Sequence, residues 1–317
     1  MEHIPVLLHE VIDGLQAKPG EVILDATVGG GGHSEALCQA VGGSARFVCL
    51  DADEDAIERS RKRLEVCGCT FHFYHTYYRH LDTALASFGI AGINRALFDL
   101  GLSSFQLEES GRGFSFMRDE PLQMTFHKIP PTAPTTPPSP SGQGLGTPPQ
   151  AGGEEVTASI IVNEWSKETI ATLLESYGEE KQAWRIATKI AEERAKAPIV
   201  STLQLAHIVE SVVRRKGKIH PATKTFQALR IAVNDEFQGL KDGLSKAWEK
   251  LLPGGRIAVI SFHSMEDRVV KDFFRELGAE GVGKVITKKP IVPCEQETKE
   301  NPRSRSAKLR IIEKATV

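Results

Sequence analysis

The sequence has no apolar run approaching the ~18–20 residues that cross a bilayer, so a helical membrane protein is not expected. Its opening residues, MEHIPVLLHEV, lack a basic n-region, a small-residue cleavage site and Arg/Ser-rich transit character. Charge of neither sign dominates: 39 Lys and Arg stand against 41 Asp and Glu, a formal net charge of −2. That balance excludes a polybasic protein that coats nucleic acid through bulk charge, although it leaves room for a local basic face. Cysteine is scarce and odd in number. Cys38, Cys49, Cys67, Cys69 and Cys294 are scattered, which argues for a reducing compartment and against a disulfide framework. Cys67-Gly68-Cys69 has no second pair at zinc spacing, so no metal site is expected. A cytoplasmic protein is the simplest reading of these absences. The length of 317 residues, 40% hydrophobic and 25% charged, allows a sizeable core and about two domains.

One stretch stands apart. Eight of the 17 prolines fall between Pro130 and Pro149, mixed with Ser, Thr, Gly and Gln, and no charged residue occurs between Lys128 and Glu154. Such a composition has no route to a packed core and reads as a linker. Before it, short apolar runs alternate with helical spacing. Glu21–Asp25, Arg46–Asp51, Thr70–His75 and Asn94–Asp99 read as strands, with helices expected over Ser34–Val41 and Glu54–Leu64. After it the pattern is helical: Ser166–Ser176, Glu179–Lys196, Thr202–Arg215, Ala222–Val233 and Glu236–Leu251. Strands return at Gly255–Phe262, Gly283–Thr287 and Lys308–Glu313. The expected architecture is α/β, a mostly parallel sheet interrupted by a helical insert.

The loop Asp25-Ala-Thr-Val-Gly29-Gly30-Gly31-Gly32-His33-Ser34 lies between a strand and a helix. Glycines there let backbone N–H groups approach a ligand, and the following helix start favours an anionic group. It is not a dinucleotide fingerprint: the third glycine position falls on Ser34 in one register and on Glu35 in the other. Nor does Gly-Lys-Ser/Thr follow, as a phosphate-binding loop requires. Asp51 ends the second strand 19 residues after Gly32, where an acid accepts both hydroxyls of a ribose. Asp99 ends the fourth strand. Three strand-end acids around such a loop favour an adenosine cofactor without pyrophosphate, and the sulfonium of S-adenosylmethionine suits them.

Eight ordered motifs then match a known family: HIPVLLHEV, DATVGGGGHS, DLGLSSFQLE, RGFSF, YGEEK, HPATKTFQALRIAVN, GGRIAVISFHSMEDR and NPRSRSAKLR. From His3 to about Lys314 the chain resembles the RsmH/MraW family of S-adenosylmethionine-dependent N4-cytosine methyltransferases of small-subunit (16S) ribosomal RNA. The resemblance implies a Rossmann-like class I methyltransferase domain over 1–113 and 220–317. It implies an insert domain over 114–219, helical from about 157 and containing the Pro-rich segment 130–153. It places cofactor binding on Gly31, Gly32, His33, Asp51, Tyr78, Asp99 and Gln106. It implies a substrate cytosine in the decoding region, presented by an assembled or nearly assembled small subunit. Many amino-group methyltransferases carry Asp/Asn-Pro-Pro-aromatic after the fourth strand; here Asp99-Leu-Gly-Leu-Ser103-Ser104 stands there. Asp99 is the expected catalytic group, with Ser103 and Ser104 holding loop or base.

The family pattern fails at one place. Pro121-Leu122-Gln123-Met124-Thr125-Phe126-His127 replaces P-L-D-M-R-M-D, losing two acids and an arginine. That loss opens a second reading, a cofactor-binding ribosome-assembly factor with impaired catalysis. RNA contacts are expected from Arg214, Arg215, Lys216 and Lys218, from Lys284, Lys288 and Lys289, and from Arg303, Arg305, Lys308 and Arg310. Lys224 and Arg230 are further candidates for phosphate contact, although a helix packing on the cofactor domain explains the apolar spacing there better, and His263 is either a nucleotide contact or a structural histidine. Ser264-Met-Glu-Asp267 reads as a helix cap.

Overall fold

A computed structural model of the chain describes residues 4–127, 156–215, 217 and 219–316, except for the side chain of Ser104. Pro130–Pro149, Lys216 and Lys218 lie outside the described residues. Two compact units result: Met1–Gly101 with Phe237–Val317, and Leu102–Glu236. Among the described residues no helix is long and apolar enough to cross a membrane.

The strands are β1 (Val22–Asp25), β2 (Arg46–Asp51), β3 (Thr70–His75), β4 (Ile93–Asp99), β5 (Leu251–Ser261), β6 (Gly283–Val285) and β7 (Lys308–Lys314). They form one sheet in the order β3-β2-β1-β4-β5-β7-β6. Every neighbouring pair from β3 to β5 is parallel, while β7 runs antiparallel to both β5 and β6. This is the Rossmann-like, mostly parallel α/β architecture expected from the sequence. The helices preceding the second unit are α1 (Leu8–Leu15), α2 (Gly32–Ala40), α3 (Glu54–Leu64) and α4 (Leu81–Ser87). The second unit contains α5 (Ser104–Glu108), α6 (Ala158–Glu164), α7 (Lys167–Gly178), α8 (Ala183–Arg194), α9 (Thr202–Val212) and α10 (Thr223–Asn234). After it come α11 (Glu236–Lys250), α12 (Ser264–Ala279) and α13 (Glu295–Glu300).

Apolar runs in the central strands are continuous because helices cover both faces of the sheet. Ile23, Phe47, Cys49, Leu97, Ala258 and Ile260 face one core with Val11, Leu15, Leu37 and Ile57 of α1–α3. The alternate residues Leu24, Val48, Leu50, Phe98, Ile257 and Val259 face the other, with Leu81, Leu244 and Phe274 of α4, α11 and α12. Each large side chain so buried contributes roughly 1.5–3 kcal/mol before entropy is counted. The second unit has its own core, in which Leu122 and Met124 join Ile161, Leu174, Ile186, Val209 and Leu229. The stretch that departs from the family pattern is therefore built into this core. Met124 adopts φ 59°, its N–H donates to the Arg112 carbonyl, and its own carbonyl accepts from Asn234 Nδ2. The carbonyls of Leu122 and Gln123 accept the N–H groups of Ser159 and Ala158 at the start of α6.

Several boundaries differ from the sequence expectation. The segment expected to be one helix over Glu179–Lys196 begins only at Ala183, because Glu179 turns left-handed (φ 47°) to close α7. α2 starts at Gly32 rather than Ser34, since the Ser34 hydroxyl donates to Asp25 instead of capping the helix. β5 begins at Leu251, four residues early, through an irregularity in its pairing with β4. The cap of α12 is His263 rather than Ser264: Glu266 N–H approaches His263 Nδ1 at 3.3 Å while Glu266 Oε2 receives His263 N–H.

Two arginines assigned to RNA are spent internally. Arg230 makes a two-pronged pair with Glu236, Nε to Oε1 at 2.7 Å and a terminal nitrogen to Oε2 at 2.8 Å. Arg310, on β7, does the same with Asp267 of α12 at 2.6 and 3.1 Å. Both arginine side chains are largely shielded, at 13% and 9% exposure, so the planar fork matches a carboxylate in place of phosphate. Arg310→Ala should cost about 3 kcal/mol of unfolding free energy in urea, because Asp267 stays buried with only Lys308 at 3.6 Å to balance it. A loss below ~1 kcal/mol would show that the pair does not hold α12 to β7.

Candidate functional site

β1, β2 and β4 end at one edge of the sheet, each on an aspartate: Asp25, Asp51 and Asp99. β1 lies between β2 and β4, so the strand order reverses there and a crevice opens at the carboxyl ends. The glycine loop is tied to all three acids. Asp25 accepts the Ser34 hydroxyl at 2.6 Å and Thr27 N–H at 3.3 Å. Asp51 accepts Gly29 N–H and Asp53 N–H, each at 2.9 Å. Asp99 donates its own N–H to Thr27 Oγ1 at 2.7 Å.

The four glycines serve different ends. Gly31 precedes α2 with φ 79°, a left-handed conformation that disfavours a side chain. At Gly32 a Cβ would lie 2.5 Å from Pro5 Cγ, so glycine lets the N-terminal segment cross the loop closely. At Gly30 a Cβ would meet nothing within 4 Å, leaving that face open to approach. The first turn of α2 also turns backbone N–H groups outward for an anionic ligand.

The carboxyl groups are unusually basic. Burial raises Asp99 from its ordinary 3.8 to about 7, and the nearby charge of Glu266 adds to the effect. Burial likewise raises Asp25 and Asp51 to about 6. Asp99 Oδ1 is buried without a hydrogen-bond partner, while Oδ2 lies 3.5 Å from Nδ1 of His33. Glu266 is held in place by N–H groups of Phe262 (2.9 Å) and His263 (3.3 Å). Such a site suits a ligand that brings positive charge and an N–H donor.

Other expected residues are distributed as follows. Tyr78 opens a short 3₁₀ turn, and its ring meets Phe98 edge-on at 5.7 Å, in space that Gly243 of α11 leaves free. Ser103 and Gln106 belong to the second unit, where they form a reciprocal capping box at α5: Gln106 N–H donates to Ser103 Oγ, and Ser103 N–H to Gln106 Oε1. Ser104 starts that helix. His263 sits 2.9 Å from Glu266 Oε1 through Nε2, a structural role at the start of α12. Lys224 donates to the Glu179 carbonyl. Arg214, Arg215, Lys284, Lys288, Lys289, Arg303 and Arg305 are exposed. The sequence reading missed Glu266 and Thr27; the S-x-E spacing after His263 was the available sign of the former, and none marked the latter.

The MraW methylase family model matches residues 1–133 and 151–315. The chain belongs to that family. The curated protein "Ribosomal RNA small subunit methyltransferase H" of Heliobacterium modesticaldum is 41% identical over 332 residues, covering 98% of each chain. The proteins of that name from Persephonella marina and Thermomicrobium roseum are 41% and 42% identical, covering 99% and 98% of this chain and 99% and 93% of their own. Methylases of this family use S-adenosylmethionine as methyl donor. The residues present fit it: an open glycine face, a strand-end acid at Asp51 and an unpartnered carboxylate oxygen at Asp99.

The raised acids have a consequence for stability. Folding favours the neutral form of Asp99, so its contribution is full below its unfolded value near 3.8 and lost as pH rises to about 7. Asp99→Asn should therefore raise the unfolding free energy by about 2 kcal/mol at pH 8, discounted for its 19% exposure, and change little at pH 4. Urea denaturation at the two pH values measures this, and equal effects at both would contradict it.

Proposed function

We propose that the protein transfers a methyl group from S-adenosylmethionine to the exocyclic N4 of a cytosine in the decoding region of small-subunit ribosomal RNA. The observation that carries this reading is the buried, unpartnered Oδ1 of Asp99 at the sheet's switch point, in a chain of this family. The relatives' names supply the ribosomal RNA; an acceptor for an N–H group suits an amine as the reacting atom. The cofactor supplies an electrophilic methyl group on a cationic sulfur.

Cytosine N4 is a poor nucleophile because its lone pair is conjugated with the ring. Asp99 Oδ1, accepting from one N–H, draws the nitrogen towards a tetrahedral geometry and removes the proton as the bond to carbon forms. Gly31, Gly32 and His33 would hold the donor's amino-acid end through main chain, Asp51 its ribose and Tyr78 its base. Ser103 and Ser104 keep the loop after β4 in position, Ser103 through its capping box. In-line displacement depends chiefly on alignment, which a rigid strand end provides. The missing Asp/Asn-Pro-Pro motif argues against a DNA amino-methyltransferase.

The cytosine must leave its stack to reach such a site. Affinity for RNA rests on the exposed basic residues at 214–215, 284–289 and 303–305, so binding should weaken steeply with salt. An rRNA substrate within an assembled or nearly assembled small subunit places the reaction in the cytoplasm. The test is to incubate the protein with labelled S-adenosylmethionine and partly assembled small subunits, then digest to nucleosides. N4-methylcytidine is expected from the wild type and at least 10³-fold less from Asp99→Ala. Label in another nucleoside, or near-wild-type activity in the variant, would overturn the assignment. Cofactor binding without product would favour the assembly-factor reading.

A further inference from the structure

His33 is 6% exposed, and both of its ring nitrogens face protein. Nε2 lies 2.9 Å from the carbonyl oxygen of Val6. A carbonyl only accepts, so Nε2 carries the proton. Burial lowers the ring's pKa below its ordinary 6.5, against the pull of the Val6 carbonyl and of Asp25 and Glu297, and keeps it neutral. Nδ1 therefore presents a lone pair, and it presents it to Asp99 Oδ2 at 3.5 Å. An ionised carboxylate facing a lone pair gains nothing from the contact, whereas a carboxylic acid can donate its hydrogen into it.

The Val6 carbonyl is itself held firmly. Leu7 N–H donates to Glu297 Oε1 at 2.8 Å, Asn301 Nδ2 donates to the Ile4 carbonyl at 3.2 Å, and Pro5 packs on Gly32. A segment from the start of the chain, pinned by α13 and the residue after it, thus dictates which nitrogen of His33 is protonated.

We propose that His33 is a positioning residue for Asp99, its Val6-locked ring offering Nδ1 as the acceptor for the proton that Asp99 takes from the amine undergoing methylation. This rests on the methyl-transfer reading above. The balance is simple. The N–CH₃ bond forms, the S–CH₃ bond breaks with its electron pair left on sulfur, and the displaced N–H proton passes to Asp99 Oδ1. One carboxylate and one sulfonium become a neutral acid and a neutral thioether. A half-turn of the carboxyl group then sets its O–H against Nδ1, and loss of that proton to solvent as the products leave restores the carboxylate. The other charged groups around the pair are acidic: Asp25 on β1, Glu266 on α12 and Glu297 on α13. They favour retention of that proton until the products leave.

The first test needs no methyl acceptor. In the full chain labelled with ¹⁵N-histidine, His33 should show the Nε2–H tautomer, with an Nδ1 signal that titrates near pH 7 as Asp99 ionises. Asp99→Asn should abolish that titration. An Nδ1–H tautomer, or an Nδ1 signal indifferent to Asp99→Asn, would overturn the proposal even if cytosine is the substrate. The second test is kinetic. His33→Asn, whose amide N–H would stabilise the carboxylate, should lower kcat 10- to 100-fold. It should move the acidic limb of the kcat–pH profile down by at least half a pH unit, with KM for S-adenosylmethionine within twofold. A raised KM with an unmoved pH profile would make the His33 side chain, and not only its main chain, a ligand of the cofactor and sink the proposal. If wild-type protein gives no methylated cytidine, the substrate reading fails while the spectroscopic result stands.

Discussion

Three carboxylates, one buried and two half-buried, stand at the ends of adjacent parallel strands, and the site depends on the cost of keeping them there. A charged group without its water is expensive, and a protein meets that cost by hydrogen bonding, by neutralising the group or by leaving it for a ligand. Asp51 receives two backbone N–H groups, Asp25 a serine hydroxyl at 2.6 Å, and Asp99 keeps one oxygen with no partner. Gly29 and Ser34, which bond Asp51 and Asp25, belong to the glycine loop, so the same contacts that stabilise the acids also shape the face where a donor approaches. Stability is given up at Asp99 in return for an acceptor, a common exchange at functional sites.

The sheet explains why these acids meet. β1 and β4 are neighbours although two strands separate them in sequence, and that reversal aligns Asp25 beside Leu97 and Asp99 beside Ile260. Helices on both faces bury the strands up to their last residue, so the polar side chain at each strand end emerges at a wall rather than in open water. The second unit contributes a separate helical core, into which Leu122 and Met124, which keep the family pattern, are packed, with the atypical Phe126 against it. Where the family has charged residues, Thr125 is buried and its hydroxyl donates to the His127 carbonyl.

Much of this was legible in the residues. Apolar runs ending in aspartate marked β1, β2 and β4, because a strand buried on both faces must be apolar until it reaches the ligand edge. The glycine loop and its failure to match a dinucleotide fingerprint were equally clear. Less legible were features made by residues distant in sequence. The tautomer of His33 depends on the Val6 carbonyl, 27 residues away, and a backbone oxygen leaves no mark in a sequence. Arg310 looked like a phosphate contact because its sequence neighbours are basic, and Arg230 was a candidate beside it, yet tertiary packing places Asp267 and Glu236 against them. Glu179 carried helical spacing on both sides, and only its left-handed backbone separates α7 from α8.

The central claim is that Asp99 is an acid held partly protonated until a cationic donor arrives. Calorimetric titration at pH 6.5 in buffers of different ionisation enthalpy measures the protons exchanged on binding. S-adenosylmethionine should release a substantial fraction of a proton from the wild type, and S-adenosylhomocysteine, which lacks the sulfonium charge, should release much less. Asp99→Asn should erase the difference. Equal proton release by the two ligands, or a difference that survives in Asp99→Asn, would contradict the claim.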